Sequence, residues 1–131
     1  MSKEILYNLL NEKMIELMTN LISAFPDLND FKLIKKGTIM LSTLDYKNPY
    51  KIFRDYVNVK YKEQIMNKDD AFFLNTVEYE IYDQENKDYW KDFIEQLKRV
   101  WVTLDDTNKE NIWKYLQIFV ALCSKIEDAA K

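Results

Sequence analysis

The chain has 131 residues, a size that supports one hydrophobic core, and its 47% hydrophobic and 31% charged content is that of a folding sequence rather than a disordered one. It holds one glycine, two prolines, one cysteine and no histidine. These counts exclude Gly-rich phosphate loops, intrachain disulfides, His/Cys zinc sites and imidazole-dependent nucleophilic catalysis. The net charge of −3, with Lys and Arg spread along the chain, disfavours sequence-independent DNA binding.

From Ser2 to about Phe25, residues Ile5, Leu6, Leu9, Leu10, Met14, Leu17, Met18, Leu21 and Ile22 recur at spacings of three and four. That spacing marks one face of a helix. Ser2 is its expected N-cap, and Pro26 stops it by pushing the preceding residue out of the helical region. Between Asp27 and Asp45 the apolar period is weaker. Lys35-Lys36-Gly37 reads there as a helix C-terminus, which predicts one interrupted helix or two short ones.

Asn48 before Pro49 reads as a cap and a first-turn proline, opening a helix with Tyr50, Phe53, Val57 and Tyr61 on one face and running toward Met66. Asp69 or Asp70 is a candidate cap for a short helix through Phe72 to Leu74. Thr76 to Tyr82 alternates apolar and polar residues, but a lone strand has nothing to pair with, and helix or extended loop is the better reading; the conformation of 67–87 stays open. Tyr89, Trp90, Phe93, Ile94, Leu97, Val100, Trp101 and Leu104 form a helical stripe ended by Asp105 and Asp106. Thr107 and Glu110 spell a capping box for the last helix. The apolar face of that helix, Ile112 to Ile126, is widened by Tyr115, Ile118 and Leu122, so burial on most sides is expected. These elements predict an all-α fold: a compact bundle of about five to six helices with a buried C-terminal helix, formed by residues 1–131 as one domain.

The three tryptophans lie on apolar helical faces and are assigned to the core. Tyrosines crowd the middle third, and tyrosine is enriched at protein interfaces; Tyr46, Tyr50, Tyr56, Tyr79 and Tyr82 are therefore the candidate partner-binding residues. The alternative is that each buries its ring and leaves its hydroxyl in water. The acidic pairs Asp69-Asp70, Glu78-Glu80 and Asp105-Asp106 could serve acid–base or Mg²⁺ chemistry, but two of them precede predicted helices, where capping is the simpler role. No catalytic, metal or cofactor residues are assigned. No signal-like opening and no stretch of roughly 20 apolar residues is present, so the expectation is an intracellular protein in a reducing compartment without membrane insertion.

The segment DDTNKENIWKYLQIFVALCSKI, Asp105 to Ile126, resembles the end of a group of helical proteins of nucleocytoplasmic large DNA viruses that carry an IWKYLQ helix after a short capped turn. The matching residues are Ile112, Trp113, Lys114, Tyr115, Leu116 and Gln117, with an upstream Trp90 helix and the Phe25-Pro26 step. The resemblance implies a viral origin, in host cytoplasm or virion, and supplies no activity and no catalytic residues. It covers about a third of the chain and does not reach Thr38 to Tyr82. Together these readings lead to the expectation of a non-enzymatic interaction or structural protein that binds another protein or itself. The alternative is a nucleic-acid-associated accessory protein using scattered Lys and Arg with stacking tyrosines.

Overall fold

The computed structural model of the chain describes residues 2–70 and 89–129. Among these residues every regular element is a helix: α1 (Lys3–Ala24), α2 (Asn29–Leu44), α3 (Asn48–Phe53), a π turn (Arg54–Asn58), α4 (Val59–Met66), α5 (Tyr89–Trp101) and α6 (Asp106–Ala129). The fold is an all-α bundle. Helix α1 packs along α2 on one side and α6 on another, α2 also packs on α5, and α4 lies against α6. The core joins Leu10, Met14, Leu17 and Met18 of α1 to Phe31 of α2, Phe53 of α3, Phe93 and Leu97 of α5, and Leu116 and Phe119 of α6. Each of these side chains is almost wholly removed from water, a transfer that contributes about 1.5–3 kcal/mol for a large apolar side chain.

The ends of α1 follow local chemistry. The Ile5 N–H donates to Ser2 Oγ at 3.3 Å, and the helix stops at Ala24, where the Phe25 N–H donates to the Leu21 carbonyl at 2.9 Å ahead of Pro26. Helix α6 starts at Asp106, and the Asn108 N–H donates to Asp105 Oδ1 at 2.8 Å. The expected capping box at Thr107 and Glu110 is thus displaced: Asp105 is the cap, and Thr107 lies inside the first turn. Asp105, Asp106 and Thr107 all favour N-cap positions, and the residue just outside the first turn, Asp105, takes the role. The broad burial expected for α6 is present, with Tyr115 and Leu122 buried beside Trp113, Leu116, Phe119 and Cys123.

Two expectations in the middle of the chain are corrected. Helix α2 does not break at Gly37, which has no positive φ; Phe31, Ile34 and Thr38 are buried on either side of it. Glycine costs a helix about 1 kcal/mol relative to alanine, less than this burial returns. Nor does Asn48 cap α3. Its Nδ2 turns back to donate to the Leu41 carbonyl at 3.1 Å, while Asp45 closes the junction by accepting the Lys47 N–H on Oδ1 at 2.9 Å and the Asn48 N–H on its carbonyl at 3.0 Å. The chain stays helical through Met66, but between α3 and α4 the bonding widens by one residue, so that Val57 and Asn58 are both buried before the face resumes at Ile65. The short helix and strand-like readings at 72–74 and 76–82 lie outside the described residues.

Helix α4 ends in a tight C-terminal turn. The Asp69 N–H donates to the Gln64 carbonyl at 2.9 Å and the Lys68 N–H to the Ile65 carbonyl at 3.1 Å, with Lys68 at φ 51°. This is the Schellman arrangement, whose left-handed residue is best supplied by glycine. A lysine there costs about 1–2 kcal/mol of backbone strain, and the exposed pair Lys68–Glu110 returns at most about 1 kcal/mol. Lys68→Gly is therefore expected to raise stability by about 0.5–1 kcal/mol, read as a higher urea midpoint at unchanged slope. A lower midpoint would assign the Lys68–Glu110 pair a larger role than its exposure allows.

Candidate functional site

The tyrosines separate when the chain folds. Tyr50 is 5% exposed and meets the Tyr7 ring edge-on at 5.3 Å; half-buried Tyr46 meets the other side of Tyr7 at 5.7 Å. The Tyr46 carbonyl accepts from Asn11 Nδ2 at 2.9 Å, and the Arg54 guanidinium stands 5.3 Å from the centre of the Tyr50 ring. Burial raises the Tyr50 hydroxyl above the ordinary tyrosine range, partly opposed by its bond to Arg54. These rings therefore hold α1 to the start of α3 and are not offered together to a partner. Tyr7, which occupies the i−3 position to Leu10 on the face of α1, is their common neighbour, and that spacing was the signal for it. Tyr56 is 42% exposed on the π turn, and Tyr79 and Tyr82 lie outside the described residues.

The IWKYLQ segment is occupied with fastening the fold. Trp113 is buried, its Nε1–H donating to Asp70 Oδ1 at 3.4 Å; Gln117 Nε2 donates to the Met66 carbonyl at 3.1 Å and the Ile65 carbonyl at 3.3 Å. With Glu110 on Lys68, residues 110, 113 and 117 of α6 close one row over the end of α4, where Gln117 gives the Met66 carbonyl a donor and the Ile65 carbonyl a second one beside the Lys68 N–H. Tyr115 donates its hydroxyl to Glu16 Oε1 at 2.6 Å and accepts from Asn20 Nδ2 at 3.2 Å, tying α6 to α1. That bond, followed by the one from Lys13, holds the Glu16 carboxyl below its usual range. Of the four motif residues singled out, only Lys114 is exposed.

Nothing among the described residues assembles three or more Cys, Asp or Glu side chains around a metal-sized space. Asp70 and Asp105 are engaged as described, and Glu78 and Glu80 lie outside the described residues. Cys123 is fully buried, and burial, reinforced by Glu127, pushes its thiol up to about 12. The thiol is therefore neutral in the fold at pH values where an ordinary cysteine, near 9, has ionised. Because the folded value is raised, the stability it contributes is complete below pH 9 and is lost as pH rises through about 12. The urea midpoint is expected to fall above pH 9, and Cys123→Ala to flatten that fall in part, Tyr50 and Tyr115 also being raised; an unchanged slope would remove the thiol from the alkaline limit.

Among the described residues, the outward face of α2 is left exposed. Leu33, Met40 and Leu44 are 62%, 65% and 75% exposed, with Gly37 in line between them, while Phe31, Ile34 and Thr38 fill the opposite face. An alanine-sized group built at Gly37 would meet no atom within 4 Å, so the row has an open notch at its middle. Exposed Lys32 and Lys36 border it. A second exposed row, Tyr56, Val59 and Met66, is crossed by Lys62 and Glu63 and carries both signs of charge. Isolated surface apolar residues are ordinary; an aligned row on a helix whose other face is already in the core is a candidate contact surface. No described helix is long and apolar enough to cross a membrane. No protein family, curated protein or solved structure matches the chain.

Proposed function

We propose that the protein is a non-enzymatic interaction or structural protein that docks another protein on the outward face of α2. The observation that supports this reading is the alignment of exposed Leu33, Met40 and Leu44 on a helix already anchored through its opposite face. A packed helix presents such a row without ordering cost, and burying it against a partner removes apolar surface from water at about 25 cal/mol per Å². Tyr56 is the one described tyrosine of the expected interface that is largely exposed, so the surface is aliphatic more than tyrosine-rich. The resemblance of the terminal segment adds a setting to the proposal: the infected cytoplasm or virion of a large DNA virus.

The test is quantitative purification of the tagged chain from its native or infected cells, with and without nuclease, beside the Leu33→Glu/Met40→Glu variant. Both substitutions are at exposed positions and are expected to leave the fold intact, which circular dichroism checks. One protein recovered in near-equal amount from the wild type, resistant to nuclease and lost from the variant by about tenfold or more, is the expected result. Equal recovery by the variant would sink the α2 face. Loss of the partner on nuclease treatment would move the protein to the nucleic-acid-associated class.

A further inference from the structure

Resting on the reading of α2 as a docking face, we infer that its partner element is an acidic amphipathic helix, seated in the Leu33–Gly37–Met40–Leu44 row with carboxylates against Lys36 and Lys32. The row advances by four, three and four residues, which is the a/d spacing of two helices packed side by side. Gly37 occupies one of its inner positions, and the space above it is free, so a large apolar side chain of the partner can enter there and bring the two backbones close.

The charges bordering the row select among occupants. Helix α2 carries three lysines, Lys32, Lys35 and Lys36, against one acid, Asp30. Lys36 falls at the flanking position next to Gly37, and Lys32 one turn behind it. On the other side of the row Ile34 is buried in this chain's own core and exposed Asp30 stands only at its N-terminal end, so the edge that a partner's charged flank meets along Lys32 and Lys36 is basic. A second copy of the chain, crossing antiparallel about Gly37, would bring Lys36 toward its own equivalent. A bilayer gains nothing from a notch, and the four residues of the row include no aromatic anchor. Glutamates on a helix answer each of these features.

The probe is a designed helical peptide of three heptads, Leu and Ile at its inner positions and Glu at the flanking ones, compared by fluorescence anisotropy on the full chain with a counterpart carrying Lys at the flanks. The Glu peptide is expected to bind at least about tenfold more tightly at low salt, a preference that shrinks as salt screens it. Since the whole chain is negative, general charge attraction would favour the Lys peptide instead, which makes the sign of the difference informative. Gly37→Leu, which raises helix propensity while filling the notch, is expected to weaken binding by about tenfold without lowering the melting temperature. Equal affinity for the two peptides would overturn the acidic partner and leave the docking face standing. The inference is likewise overturned if neither peptide binds, whether sedimentation then shows a dimer dissolved by Leu33→Glu, phosphatidylcholine–phosphatidylserine vesicles bind instead, or no occupant is found. The docking face itself stands or falls on the separate loss of the cellular partner in the Leu33→Glu/Met40→Glu variant.

Discussion

Replacing Trp101 by alanine is expected to cost about 3–5 kcal/mol, a large part of the 5–15 kcal/mol that holds a domain of this size together. The residue ends α5, is fully buried, and stands edge-on to Trp113 of α6 with ring centres 5.5 Å apart and planes at 76°. The Lys109 ammonium lies 5.6 Å from its ring centre. Truncation empties the corner where the chain turns from α5 into α6, and neither helix can move in to fill it without leaving the rest of its packing. Urea unfolding followed by far-ultraviolet circular dichroism measures the loss independently of tryptophan emission. A cycle with Trp113→Ala should return about 0.5–1.5 kcal/mol of coupling for the edge-on pair. A total loss below about 2 kcal/mol would mean that the site collapses around the smaller side chain.

Phe119→Ala is expected to be comparably severe, at about 3–5 kcal/mol. Its ring is fully buried midway along α6, 5.7 Å from Phe53 at 85° and 6.4 Å from Tyr115 at 50°. Phe53 is the last residue of α3, so Phe119 is what holds the chain against α6 just before the π turn. The consequence is local as well as global: amide exchange over Arg54–Asn58 should accelerate more than exchange in α1. Phe119→Leu retains most of the apolar volume and should lose clearly less. Uniform acceleration across the bundle would show that the contact carries no special weight for the π turn.

Much of this architecture is legible in the sequence wherever an apolar period is long. The recurrence of α1, with Ile5 alone of its nine residues left 55% exposed, the Pro26 stop and the wide face of α6 each follow from spacing, because a stripe of that length has the core to face. The errors fall where one residue admits two local solutions. Gly37 is a natural helix terminator, and only the burial of Ile34 and Thr38 beside it, a tertiary fact, carries the helix through. Asp105, Asp106 and Thr107 compete for one cap. The tyrosines are harder still, since an amphipathic ring suits a core edge and an interface equally, and what separates them is that Tyr50 shares the buried face of Phe53 and Val57 while Tyr56 does not. The α2 face is hidden for a related reason: Leu44 is spaced to share a face with Phe31 and Ile34 if the helix restarts after Gly37, whereas in the unbroken helix it lies 75% exposed in line with Leu33 and Met40.

The π turn gives the bundle a property of phase. One residue more than an α-helix needs is folded into Arg54–Asn58, and everything after it is rotated by about 100° relative to a continuous helix begun at Asn48. Straighten that turn into regular i→i+4 bonding without removing a residue, and Ile65 swings out of the core, while the carbonyls to which Gln117 donates turn away with it. The locally more regular helix would thus belong to a globally misaligned molecule: the wide turn absorbs one residue and so keeps the faces of α3 and α4 in phase.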